Sequence, residues 1–184
     1  FTENTQIALG VGVSIYGAGA TSIITSGAAL NPIIYLASAS ENTAGNQSIS
    51  NLTLDGNLTA LTAIYVLARG NVKLHDLTVI DFVNGGVGFR GGISGTHPTT
   101  HATGNEVYNC TITNSATRSG SPNGLIWISG QQGILIHDNV LDQTGRAEGS
   151  NGNIINAVGG GSEANSGFND GVKYYRNKSY KPYS

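Results

Sequence analysis

Apolar and polar residues alternate in this chain over stretches of four or five positions, and Gly, Asn and Ser interrupt the pattern too often for helices. A period of two belongs to short strands with one buried face. One such strand recurs as Ile33-Ile34-Tyr35-Leu36, Ala63-Ile64-Tyr65-Val66, Val87-Gly88-Phe89, Leu125-Ile126-Trp127-Ile128 and Ile154-Ile155-Asn156-Ala157. The alternation predicts that Ile34, Leu36, Ile64, Val66, Val87, Phe89, Ile126, Ile128, Ile155 and Ala157 point into a core. Tyr35, Tyr65, Gly88, Trp127 and Asn156 then point out.

A second pattern follows each of these strands: SISNLTL at 48 to 54, KLHDLTV at 73 to 79, EVYNCTI at 106 to 112, LIHDNVL at 135 to 141 and YYRNKSY at 174 to 180. Its anchor is Asn51, Asp76, Asn109, Asp138 or Asn177, at gaps of 25, 33, 29 and 39 residues. Such uneven gaps suit stacked coils joined by loops of variable length. Asn and Asp tolerate a bend and can hydrogen-bond to like neighbours, so the anchors are expected to form a side-chain ladder. Beyond the anchor, Leu52, Leu54, Leu77, Val79, Cys110 and Ile112 repeat the inward pattern, and Thr53, Thr78 and Thr111 make an outward row. The opening segment follows suit through Gln6-Ile7-Ala8-Leu9, Val13-Ser14-Ile15, the turn Tyr16-Gly17-Ala18-Gly19 and Ser22-Ile23-Ile24. The reading is a single all-β domain over 1–184: a parallel β-solenoid of about six coils, each with three short strands, with rungs about 4.8 Å apart.

With the GVSIYGAG opening and the cadence of Gly70-Asn71-Val72-Lys73-Leu74-His75-Asp76-Leu77-Thr78-Val79, the chain resembles the right-handed parallel β-helices of the pectate-lyase-like superfamily over nearly its whole length. The resemblance implies a right-handed single-stranded β-helix and work on carbohydrate: polysaccharide lyases, glycoside hydrolases, epimerases and esterases, with tailspikes and adhesins beside them. Fold alone does not choose among these. The pectate-lyase calcium and arginine signature, the polygalacturonase set and the epimerase motif Asp-Pro-His-Asp are all missing from the sequence.

Composition narrows the class of partner. Only 11% of the residues are charged and the net charge is −2, which provides no basic surface for nucleic acid or an anionic membrane. No apolar run reaches the roughly 20 residues needed to span a bilayer. Few charges with abundant Gly, Ser, Thr and Asn suit a secreted protein, so the expected location is extracellular. The chain has no Met and no signal-peptide-like start, as expected of a processed or trimmed chain. Cys110 is the only cysteine; it excludes an internal disulfide and reads as a buried thiol. Sequons at Asn46, Asn51, Asn57, Asn109 and Asn177 carry little weight, because three of them coincide with anchors.

The resemblance also implies that polysaccharide lies along the first strand face. The outward residues Tyr35, Tyr65, Trp127 and Asn156 are therefore the candidate substrate-binding row, with ring faces for sugars and Gly88 as a gap between aromatic walls. Long insertions are expected at Ala37 to Gln47, Arg90 to Gly104 and Val158 to Gly171. The middle one carries Arg90, His97 and His101: a cation to neutralise a uronate carboxylate and two bases to take the adjacent proton, as a lyase requires. Asp55, Asp81, Asn114 and Asp142 read as related positions where strands end. Asp81 and Asp142, roughly 10 Å apart at the backbone, could serve as a hydrolase carboxyl pair, or the cluster could bind Ca²⁺. His75 and His137 read as surface residues in one row with Ser50, Tyr108 and Arg176. The expected function is an extracellular polysaccharide lyase or glycoside hydrolase; the alternative is a glycan-binding, adhesive or fibre-forming β-helix without chemistry. The last coil has no capping element, so end-to-end self-association or further C-terminal coils are expected.

Overall fold

The computed structural model describes residues 1–93, 99–115, 124–144, 154–157 and 168–180. These residues are all β, without a helix, and every strand pairing among them is parallel. Strands Ile7–Ala8, Ile34–Ala37, Thr62–Leu67, Gly85–Arg90, Gly124–Ser129 and Ile155–Ala157 form a six-stranded sheet in which each strand pairs with the next along the chain. An eleven-stranded sheet grows in the same order through Thr43–Asp55, Arg69–Ile80, Glu106–Tyr108 with Thr111–Thr113, Leu135–His137 with Val140–Asp142, and Lys173–Tyr175 with Lys178–Tyr180. The chain visits the two sheets by turns and adds to both at each pass. Parallel neighbours require such a crossover, and the arrangement is compatible with a parallel β-solenoid.

The register follows the alternation in the sequence. Ile34, Ile64, Val87, Ile126 and Ile155 stand in one row, and Leu36, Val66, Phe89, Ile128 and Ala157 in the next. All of them except Ile155 and Ala157, on the outermost described strand, are at most 2% exposed. Across the core lie Ile49, Leu74, Val107 and Ile136, with Leu54, Val79, Ile112 and Leu141 further along, each fully buried. Burying side chains of this size contributes about 1.5–3 kcal/mol each.

Three expectations are altered. The second and third strands of a coil belong to one sheet, and in two passes they run together as Thr43–Asp55 and Arg69–Ile80. Pairing continues on both sides of Asn51 and Asp76, whose left-handed φ of 57° and 53° bends the chain without ending the ladder. The insertion expected up to Gln47 accordingly stops at Thr43.

The anchors act through conformation. Asn51, Asp76, Asn109 and Asp138 all have φ between 52° and 57°, a region these residues enter at little cost, and the first three have exposed side chains. Amide ladders run elsewhere. Buried Asn105 donates to the carbonyl of Arg69 (3.0 Å) and to Oε1 of Gln131 (2.8 Å), and the backbone N–H of Gln131 donates to Asn169 (3.1 Å).

The last repeat is displaced by one residue. Tyr175 pairs with His137 and Lys178 with Val140, so Arg176, at φ 53°, takes the anchor position. Asn177 falls in line with Leu52, Leu77, Cys110 and Asn139, and its Oδ1 accepts from Nδ2 of Asn139 at 2.9 Å. The polar, aromatic run from Lys173 to Tyr180 has no apolar alternation to set its frame.

Buried Arg69 sits where the two sheets meet, beside the Asn105 ladder. Its guanidinium donates to Leu9 O (3.1 Å), Ser38 Oγ (2.9 Å), Gln47 Oε1 (2.7 Å) and Ala37 O, and burial lowers its pKa. Carbonyl and amide oxygens replace the water it gave up.

The stack predicts unequal costs for one truncation. Ile64→Ala, in the middle of its row, is expected to destabilise by about 2–5 kcal/mol. Ile155→Ala in the same row is expected to cost less than half as much, since Ile155 is only partly buried. Urea unfolding of the two variants checks this.

Candidate functional site

The outward positions of the six-stranded sheet are in register from Tyr35 through Tyr65, Gly88 and Trp127 to Asn156. Strand spacing places neighbouring rings face to face. Tyr35 and Tyr65 stack with centroids 5.8 Å apart and planes 6° apart. Tyr65 and Trp127 are separated by an intervening strand, yet their centroids are 5.7 Å apart with the planes tilted by 41°. They meet over Gly88: a Cβ there would lie 3.0 Å from Cδ2 of Tyr65 and 3.1 Å from Cε3 of Trp127. The expected gap is therefore closed, and the three rings form one continuous surface. They line a cleft of about 350 Å³ whose polar lining includes Gln6, Asn31, Thr62 and Asn84. Gln6, Asn31 and Asn84 come from the loops leading into the strands, where single-residue positions have no periodic signature in the sequence, and Thr62 is the first residue of its strand.

Arg90 lies two residues beyond Gly88 on the same strand, level with Leu67 and Ser129. It is near enough for its charge to act on the phenol of Tyr35, whose pKa is nonetheless raised because burial outweighs that charge. His97 lies outside the described residues. His101 is partly exposed and precedes the short strand Ala102–Thr103, and the loop before it is tied to the previous pass. There the carboxylate of Glu41 accepts from Thr99 Oγ1 (2.6 Å), Thr99 N (2.7 Å) and Thr100 N (3.0 Å); the Thr99 hydroxyl leads in lowering its pKa.

The acidic positions are not one row. Asp55 is level with Ile80, Thr113 and Asp142, whereas Asp81 lies one residue further along its strand, at φ 62°. Asp55 and Asp142 accept from their own turns, at Asn57 N (2.8 Å) and at Thr144 N (2.8 Å) and Oγ1 (2.7 Å); Asp81 accepts from Nδ2 of Asn114. Among the described residues no three His, Cys, Asp or Glu side chains group to hold a metal ion. Cys110 is 2% exposed with its pKa pushed up to about 12 by burial, so its thiol stays protonated.

No family model, curated protein or solved structure matches the chain.

The outer face of the eleven-stranded sheet carries the row expected of His75 and His137 with Ser50 and Tyr108, and the structure adds its ring stacking and ion pairs. Tyr16, Ser50, His75, Tyr108, His137 and Tyr175 are in register, with Tyr175 where Arg176 was expected. The last four rings are stacked, with centroids 4.8, 5.3 and 4.8 Å apart and planes within 11°. Arg176 lies 4.8 Å over the ring of Tyr175. His137 is held between two carboxylates, Nε2 to Glu106 at 2.8 Å and Nδ1 to Asp138 at 2.7 Å. Lys73 pairs with Glu106 at 3.2 Å, and Arg176 with Asp138 at 2.6 Å. Burial opposes a charge on His137, but the two carboxylates outweigh it and raise its pKa. Hydrogen bonds from Arg176 and His137 hold Asp138 far below the usual carboxylate range.

A folded pKa above the unfolded value of about 6.5 means that the stabilisation from protonated His137 is complete below that value. It is lost as pH rises through the raised pKa. A proton–carbon NMR titration should find His137 titrating above its ordinary value, and Glu106→Gln should move it down. An unmoved titration in that variant would contradict the pairing.

Proposed function

We infer that the chain is a right-handed parallel β-helix of about six coils, of the pectate-lyase-like kind, and that it acts outside the cell on a long polysaccharide lying along Tyr35, Tyr65, Trp127 and Asn156. The observation that carries this reading is the cleft in which three aromatic faces run along the stacking axis beside Gln6, Asn31, Thr62 and Asn84. The C–H faces of sugar rings stack on aromatic rings, while their hydroxyls exchange hydrogen bonds with amides and hydroxyls. A continuous aromatic surface suits a polymer that passes over several rungs better than a single small ligand. The low charge of the chain favours a glycan over nucleic acid.

Retention of the polymer is the core of the proposal, and breakage of it is the second reading. Arg90, two residues from Gly88, favours a lyase: its guanidinium would neutralise a uronate carboxylate while His101 or His97 takes the neighbouring proton. The hydrolase reading through Asp81 and Asp142 has less support, because both carboxylates are occupied by local turns or amides.

Titration calorimetry against a panel of uronate-containing and neutral polysaccharides tests the binding reading. Tyr65→Ala and Trp127→Ala are each expected to weaken binding by about 0.5–1.5 kcal/mol. Unchanged affinity in both would remove the assignment. Ultraviolet absorbance of unsaturated products tests the lyase reading, with Arg90→Ala expected to abolish it; binding without any such product would leave the retention reading alone.

A further inference from the structure

The outer face of the eleven-stranded sheet, on the other sheet from the aromatic cleft, contains a hydroxyl, an imidazole and a carboxylate in relay. Ser48 Oγ lies 2.8 Å from Nε2 of His75, and Nδ1 of the same ring lies 2.6 Å from Oδ2 of Asp76. We propose that Ser48, His75 and Asp76 form a nucleophilic site that hydrolyses esters of short carboxylic acids.

The fold accounts for the geometry. Ser50 pairs with His75 and Ser48 with Lys73, so Ser48 and His75 are diagonal neighbours on one face of adjacent strands. Asp76 follows His75 directly and in a regular strand would face the other way. Its left-handed φ of 53° turns the chain there, and the carboxylate reaches the ring beside it. An ionised carboxylate only accepts, so Nδ1 carries the proton and the lone pair of Nε2 faces the Ser48 hydroxyl. That is the protonation pattern a general base needs.

A second copy of the frame shows what the serine changes. Glu106, His137 and Asp138 occupy the same relative positions one relay along, with Tyr108 opposite His137 as Ser50 is opposite His75. There the third member is a carboxylate, and the ring is locked into an ion pair. At His75 the third member is an alcohol, and the imidazole is left to take its proton. Ser48 also lines a shallow pocket of about 210 Å³ with Ser14, Tyr16, Asn46, Gln47, Asn71 and Lys73. This open recess suits a short acyl group, and Asn46, Asn71 and Lys73 contribute polar side chains to its lining.

The chemistry closes with water as the only co-reactant. Ser48 Oγ bonds to the ester carbonyl carbon as His75 Nε2 takes the hydroxyl proton, and the carbonyl π pair moves onto oxygen. When that pair returns, the bond to the alcohol breaks and the alcohol leaves with the proton from His75. Water then attacks the acyl-Ser48 carbonyl, giving a proton to His75. Release of the acid breaks the Ser48 ester and returns that proton to Oγ. The net change is ester plus water to acid plus alcohol.

The test uses the whole chain with two probes, 4-nitrophenyl acetate and a fluorophosphonate. Peptide mass spectrometry of the fluorophosphonate-treated protein should find the adduct on Ser48 in preference to the other serines. The decisive variant is Asp76→Asn, because Asn51 and Asn109 already occupy that position of the repeat with the same φ, so the fold accepts it. It should slow both adduct formation and 4-nitrophenyl acetate turnover by about tenfold or more, and His75→Gln by about 100-fold or more. Circular dichroism and the melting temperature of Asp76→Asn should match the wild type. An adduct absent from Ser48, or formed at the wild-type rate in Asp76→Asn, overturns the proposal.

Discussion

Parallel, in-register hydrogen bonding between successive passes of the chain is the constraint from which everything else here follows. Once Ile34 pairs with Ile64, and Ile64 with Val87, each position of a strand is committed to a row with its counterparts. An inward row becomes core and an outward row sets its side chains at strand spacing, where neighbouring rings come close enough to stack. Both ring ladders, on opposite sheets, arise from this single rule. So does the tilt of Tyr65 towards Trp127, since a glycine in the intervening strand leaves space that the two larger side chains close.

The rule also explains how much could be read in advance. Ile34, Tyr35 and Leu36 and their counterparts were legible to the residue, because strict alternation between bulky apolar and polar positions leaves one register that buries the right face. Lys173 to Tyr180 lacks that contrast, and the anchor there was misplaced from Arg176 to Asn177. The merging of strands through Asn51 and Asp76 was hidden for a different reason: a left-handed residue bends a chain whether or not pairing continues across it. The aromatic row of the candidate site was legible for the same reason as the core. Gln6, Asn31 and Asn84 were not, since nothing periodic marks a loop residue that turns towards a cleft.

Contacts along the diagonal of a sheet were the hardest to foresee. Ser48 and His75 are 27 residues apart, and their meeting depends on both the register and the side of the sheet they share. Each belongs to a different copy of the repeat, and the repeat does not signal that they meet. The same diagonal links Glu106 to His137, so a stacked fold repeats a geometric frame while letting its chemistry differ by one residue.

The buried guanidinium of Arg69 has a consequence for how the molecule comes apart. Its donors reach Leu9 in the first pass, Ala37 and Ser38 in the second and Gln47 in the strand beside it, while Arg69 itself opens the next. Peeling the first pass away would strip the Leu9 carbonyl from a cation already removed from water, a loss added to that of the strand pairing. In a repeat architecture with only nearest-neighbour contacts, terminal units fray singly. Here one side chain couples three passes, so the first pass is tied to more than its nearest neighbour.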